Sequence, residues 1–267
     1  MFLPTSGRVR HWNCKERLIG VINLLKQKLR ANNFARSLRE QYVGLRDSRD
    51  SVAKRFATIC NSMEIVTVFD VGANVGQFSK DVRRHSFRGK IYSFEPVQET
   101  FIKLVSNFKN DSEWEGIKKG VGRTAGTLEI NLSANAGLST SFMDMGEQHL
   151  IDFPDSRYIG TETVEVTTID EQIYNLKIEP KELAVKIDVQ GFELEVLWGM
   201  SNYIKDIKCV LIEASLTPLY LGEPTLSEII AFLEKHNHRV VDIFRGVQSR
   251  SGHLLQVDLI SVNLKNL

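Results

Sequence analysis

Val68-Phe69-Asp70-Val71-Gly72-Ala73-Asn74-Val75-Gly76-Gln77-Phe78 reads as a buried strand that runs into a tight glycine turn and then a helix. Ile65-Val66-Thr67 extends the apolar run backwards, and Asp70 stands near its end. A carboxylate in such a run is costly to desolvate unless it finds a partner. Glycine in the turn gives the backbone freedom and lets a ligand come close. The helix that follows offers unpaired N–H groups. The stretch predicts a nucleotide-type pocket whose strand-end acid, Asp70, receives a cationic or hydroxyl-rich group, with Gly72, Asn74 and Gly76 shaping the loop.

Outward from it, strand and helix alternate. Strands are predicted at Ile65–Val71, Ile91–Phe94, Ile117–Val121, Ala184–Asp188 and Cys209–Ile212, with helices at Gln77–Arg84, Val97–Phe108, Glu193–Leu197 and Thr225–Lys235. This βαβα rhythm implies an α/β fold, a mainly parallel sheet with helices on both faces. Val240–Phe244 and Gln256–Val262 are joined by a connection too short for a helical crossover, so they are expected as a closing antiparallel hairpin. The rhythm breaks over about 122–170, where Thr127–Leu132 and Thr163–Thr168 alternate like exposed strands around a polar stretch, Ser133–Phe142. Insertions of this kind are often lids or substrate loops. Asn135, Ser139, Ser141 and Tyr158 are its candidates for hydrogen-bonding a polyol. The expected organisation is a basic helical segment over 1–63 and one α/β domain over 64–267 that carries the insertion.

Three further stretches carry chemistry. In Tyr92-Ser93-Phe94-Glu95-Pro96, Glu95 ends the second strand, where an acid can accept hydrogen bonds from both ribose hydroxyls. In Val185-Lys186-Ile187-Asp188-Val189-Gln190-Gly191-Phe192-Glu193, Asp188 ends a strand at the edge where open α/β sheets bind ligands. Lys186 and Glu193 each have two readings there, as charges beside the ligand or as a structural ion pair and a helix N-terminal acid. Glu213, after Val210-Leu211-Ile212, is placed to share the cleft with Asp188. Paired carboxylates raise one proton affinity and make a base, or bind a divalent metal. His149, in the insertion, is a third candidate base and is expected at the surface. The dinucleotide pattern G-x-G-x-x-G is absent from the first loop, because Asn74 replaces its second glycine. Together with Asp70, this favours an S-adenosylmethionine pocket over a dinucleotide pocket.

The chain resembles the FkbM family of S-adenosylmethionine-dependent methyltransferases. Phe69–Gly76, Phe94-Glu95-Pro96, Thr167-Thr168-Ile169-Asp170, Val185–Glu193 and Gln256-Val257-Asp258-Leu259 carry the resemblance, which spans roughly residues 64–262. It implies a class I methyltransferase, Rossmann-like fold of seven strands and O-methyl transfer, commonly to a sugar or secondary-metabolite hydroxyl. By position, Gly72 and Asn74 would shape the methionine side of the cofactor loop, Glu95 would hold the ribose, and Asp188 would face the methyl group. Two alternatives stay open. An NAD(P)-dependent oxidoreductase would use Glu95 equally well, and a non-catalytic member would bind S-adenosylmethionine as a scaffold.

Composition sets the outer bounds. Net charge is +1 over 267 residues, which gives no bulk attraction to nucleic acid. Residues 1–55 carry 13 Lys/Arg against 4 Asp/Glu, so the start is basic and the body acidic. A basic arm of this kind either contacts anionic lipid or lies solvated on the body. Its apolar stretch, Leu18–Leu25, is far below the roughly 20 residues of a membrane span. No signal peptide precedes it. The three cysteines, Cys14, Cys60 and Cys209, show no CxxC spacing, which argues for a reducing, cytoplasmic setting and against a zinc site. No metal ligand set is assigned.

Overall fold

The computed structural model describes residues 51–266, so most of the expected basic segment lies outside the described residues. The first helix, α1, runs over the described residues 51–62. Val52, Ala53, Phe56, Ala57, Ile59 and Cys60 make one buried face of it. That face packs in one cluster with Val68, Ile91, Ala184, Cys209, Leu211, Ile260 and Val262, which come from the sheet.

The main sheet has seven strands in the order β3-β2-β1-β7-β8-β10-β9. They are β1 Thr67–Val71, β2 Lys90–Phe94, β3 Trp114–Ile117, β7 Leu183–Ile187, β8 Cys209–Ser215, β9 His238–Arg245 and β10 Gln256–Asn263. The first five in that order are parallel. β10 runs antiparallel to both β8 and β9, which is the expected closing hairpin. Helices α2 Gln77–Arg84, α3 Gln98–Phe108, α5 Ile169–Leu176, α6 Glu193–Trp198 and α7 Leu226–Lys235 cover its faces. This is the mainly parallel sheet expected from the βαβα rhythm, in the class I, Rossmann-like arrangement that the family resemblance implies. After β1 the chain builds outward through β2 and β3, then returns to β7 on the other side of β1. The strand order therefore reverses between β1 and β7, which stay parallel, and a crevice opens outside the C-terminal ends of those strands.

β1 and β7 are buried on both faces, and their side chains alternate between two cores. Phe69, Val71, Val185 and Ile187 join one cluster, while Val68 and Ala184 join the other. Asp70 and Lys186 follow the second set. They are also direct register partners across the β1–β7 ladder.

The expected third strand, Ile117–Val121, divides. Trp114–Ile117 stays in the main sheet, and Gly120–Val121 becomes β4 of a second, three-stranded sheet ordered β4-β6-β5. Lys119 N donates to Ile117 O at 2.9 Å, a tight bend that ends β3. At Gly120 a Cβ would meet the Phe142 ring at 2.7 Å, so a larger residue would require that ring to shift. β5 Gly126–Ser133 and β6 Tyr158–Thr167 form an antiparallel pair. The chain between them includes the short helix α4 Glu147–Asp152.

Candidate functional site

Two tight turns face each other at the mouth of the crevice. Gly72 has φ +73°, and a Cβ there would fall 1.8 Å from the Asp188 carbonyl oxygen. Only glycine lets the β1 turn close on the end of β7. Gly72 N and Ala73 N both donate to Phe94 O, which ties the same turn to β2. Asn74, at φ +48°, accepts from Val75 N through its own side chain, the local hydrogen bond that lets asparagine hold a left-handed conformation. Gly76, at φ +83°, opens α2 and lies against Leu104 and Phe108.

Asp70 lies beneath that turn, fully buried. Its Oδ2 accepts from Ser79 Oγ at 2.7 Å, and its Oδ1 faces Lys186 Nζ at 3.4 Å. Lys186 also reaches Asp188 Oδ2 at 3.4 Å and donates to the carbonyls of Val71 and Gly72. Burial works against the Lys186 charge, but Asp188 and Asp70 outweigh it and raise its proton affinity. Of its two sequence readings, the ion pair is the one the structure contains. Ser79→Ala is expected to cost about 2 kcal/mol, because it removes a hydroxyl donor from a buried carboxylate. Denaturant unfolding measures that loss, and an unchanged midpoint would contradict it.

Glu95 is also buried. Its Oε2 accepts from Asn74 N and its Oε1 from Val97 N, each at 3.0 Å. These bonds leave one lone pair on each oxygen. Burial pushes its proton affinity up to about 7, against the pull of the two backbone donors. Glu193 caps the opposite turn, where its Oε1 accepts from Val189 N and Gly191 N. Burial, then Glu223, raises its carboxyl to about 8. It stands in the first turn of α6, as its helix N-terminal reading expects, but both hydrogen bonds go to the turn ahead of the helix.

Asp188 is the most open acid of the group, with 38% of its side chain exposed. Gln190 Nε2 donates to Asp188 Oδ1 at 2.8 Å and to Glu213 Oε2 at 3.1 Å, so one amide joins the two sequence-predicted acids. Gln256 Nε2 donates to the same Glu213 oxygen at 2.9 Å. Burial raises the Glu213 proton affinity well above the usual carboxylate range, and Asp188, Asp258 and Glu193 add to that.

Sequence reasoning passes over Gln190, Gln256 and Tyr220. Tyr220 is 1% exposed, and its hydroxyl donates to Gln190 Oε1 at 3.0 Å. The only sequence signal for Gln190 is its place inside the Asp188–Glu193 turn. Gln256 opens the closing block that carries the family resemblance, and nothing local marks Tyr220.

The insertion closes over this group. Ser141 Oγ donates to Gln190 O at 2.6 Å, and Tyr158 Oη donates to Met143 O at 2.6 Å. Ser133, Asn135, Ser139 and Thr140 bond one another. The four predicted polyol ligands thus brace the loop. His149, expected at the surface, is 2% exposed, because α4 turns that face against Phe153 and Tyr220. Burial lowers its proton affinity, against the pull of Asp152.

Among the described residues, no group of three or more His, Cys, Asp or Glu is arranged to hold a metal ion. No described helix is long and apolar enough to cross a membrane. A family profile described as the methyltransferase FkbM domain matches residues 70–240. The hexuronic acid methyltransferase AglP of Haloferax volcanii is 30% identical over 184 residues, covering 65% of this chain and 69% of that protein. The methyltransferase sdnD of Sordaria araneosa is 28% identical over 157 residues, covering 51% of this chain and 60% of that protein. Among solved structures, the magnesium protoporphyrin IX methyltransferase of Synechocystis PCC 6803 matches with a TM-score of 0.46 at 11% identity, covering 83% of this chain and 80% of that one.

Proposed function

This chain belongs to the FkbM methyltransferase family, and we propose that it transfers a methyl group from S-adenosylmethionine to a hydroxyl of a sugar, glycan or similar small molecule. The observation that carries this reading is the meeting of Glu95, the Gly72–Gly76 turn and the Asp188–Glu213 pair at one crevice mouth. The donor set suits the cofactor. Glu95 keeps acceptor capacity for paired hydroxyls, and Asp188, just past β7, and Glu213, within β8, suit a cation. The naming of the Haloferax volcanii relative as a hexuronic acid methyltransferase supports a sugar acceptor.

When bound, S-adenosylmethionine supplies a methyl group on a sulfonium that is already activated for displacement. The protein then has to hold the acceptor in line and remove its proton. Gly72, Asn74 and Gly76 shape the cofactor loop above the buried Asp70–Lys186 pair. Glu95 accepts the ribose hydroxyls. Asp188, partly open to solvent, orients the acceptor hydroxyl and takes its proton, with Glu213 as the second carboxylate of the pair. A base is most effective when its proton affinity lies near the working pH, and burial with the acids around Glu213 raises the proton affinity of that partner.

Calorimetric titration with S-adenosylmethionine, S-adenosylhomocysteine and NADH tests the cofactor. The first two are expected to bind at micromolar concentration and NADH not at all. Binding of NADH alone would replace this reading with a dehydrogenase. The acceptor is tested by S-adenosylhomocysteine release across a panel of sugars and lipid-linked glycans.

A further inference from the structure

Gln190 occupies an unusual place. It has φ +57°, a left-handed conformation that costs a side-chain-bearing residue energy, and it is held there by four hydrogen bonds. Its carbonyl accepts from Ser141 Oγ, and its amide oxygen accepts from Tyr220 Oη. Its amide nitrogen donates to Asp188 Oδ1 and to Glu213 Oε2. The network allows only this orientation, because a flipped amide would set its oxygen against two carboxylates.

Two neighbouring carboxylates repel when both are charged, which raises the proton affinity of at least one of them, whereas a donor to the charged form lowers it. Here an –NH2 group gives one hydrogen to each acid. The surroundings otherwise favour protonation. Glu213 is faced by Asp188 from β7, Asp258 from β10 and Glu193 from α6, and by the neutral Tyr220 hydroxyl from the loop after β8. The cation among these groups is Lys186, which Asp188 also shares with Asp70.

We propose that Gln190 is a positioning residue whose two amide hydrogens stabilise the charged forms of Asp188 and Glu213 together. The pair is thereby kept as two separate acceptors. The consequence for catalysis rests on the methyltransferase reading, but the titration itself does not. Without Gln190 the pair retains its proton to higher pH and is a poorer acceptor of a hydroxyl proton at neutrality.

The test is carboxyl 13C NMR on the full chain, labelled at Asp Cγ and Glu Cδ and titrated with no ligand added. Asp188→Asn and Glu213→Gln assign the two resonances. In Gln190→Met the midpoint of the pair is expected to rise by about one pH unit or more, a tenfold gain in proton affinity. Tyr220→Phe, which releases one side of the amide, should move it the same way by less. An unmoved midpoint in Gln190→Met overturns the proposal. If that variant does not fold, an unmoved midpoint in Tyr220→Phe overturns it instead. A protein that failed to bind S-adenosylmethionine would still give this titration, so the two ideas fail separately.

Discussion

Asp188→Asn is expected to cut turnover about a hundred-fold or more while leaving the dissociation constant for S-adenosylmethionine within a few-fold. The substitution keeps the size of the side chain and one acceptor oxygen. Lys186 keeps its contact with Asp70, and the glycine turn at Gly72 still closes on the Asp188 backbone, which does not change. The cofactor loop should therefore survive. What is lost is a group able to accept a proton, and a hundred-fold loss corresponds to about 2.7 kcal/mol of barrier. S-adenosylhomocysteine release with a responsive acceptor gives the rate, and calorimetry gives the binding. Unchanged turnover would remove Asp188 from the reaction and leave Glu213 as the sole acid of the pair to test.

Glu95→Ala should have the opposite profile, with S-adenosylmethionine binding weakened on the order of a hundred-fold. Two charge-assisted hydrogen bonds to ribose would go, and Asn74 N and Val97 N would lose the partner that shapes the loop. An unaltered dissociation constant would refute the ribose role. The pH dependence is a second signature. Glu95 is raised to about 7 chiefly by burial, and its ionised form is the better acceptor for hydroxyl donors. Affinity is therefore expected to climb as pH rises through about 7 and to level off above it, whereas Glu95→Gln should show no such rise.

The same shift has a consequence for stability, with the sign reversed from the usual carboxylate. The folded protein holds the Glu95 proton more tightly than the unfolded chain does. Its contribution is fullest below the ordinary carboxylate range and is lost as pH rises toward about 7. Bound S-adenosylmethionine, by favouring the ionised form, should add more stability above that pH than below it.

Much of this site is legible in short stretches of sequence, because its parts are local. A strand buried on both faces declares itself by a largely apolar run, as in Ile65–Phe69, which Thr67 alone interrupts, and Ala184–Ile187, which Lys186 alone interrupts. A left-handed turn declares itself by glycine or asparagine, as at Gly72, Asn74 and Gly76. An acid at a strand end is visible as an interruption, and Asp70, Glu95, Asp188 and Glu213 are all found that way. The closing hairpin follows from the shortness of one connection.

What those residues do to each other was decided only by tertiary structure. Whether Asp70 faces a ligand or Lys186 depends on the register of β1 against β7, and a one-residue slip would put the two on opposite faces of the sheet. The bend that takes Gly120 out of the main sheet answers to Phe142, which arrives from the insertion. The fate of His149 depends on which face α4 turns toward Tyr220. The amide that joins Asp188 to Glu213 draws on residues 188, 190, 213, 220 and 256, brought together from separate elements. Periodicity and turn chemistry act over a few residues, so the sequence by itself determined the strands, the turns and the acids at their ends. Hydrogen bonds and ion pairs in a buried site act over about 3 Å of space without regard to chain separation, so only the folded sheet could decide which of those acids are paired and which are left to react.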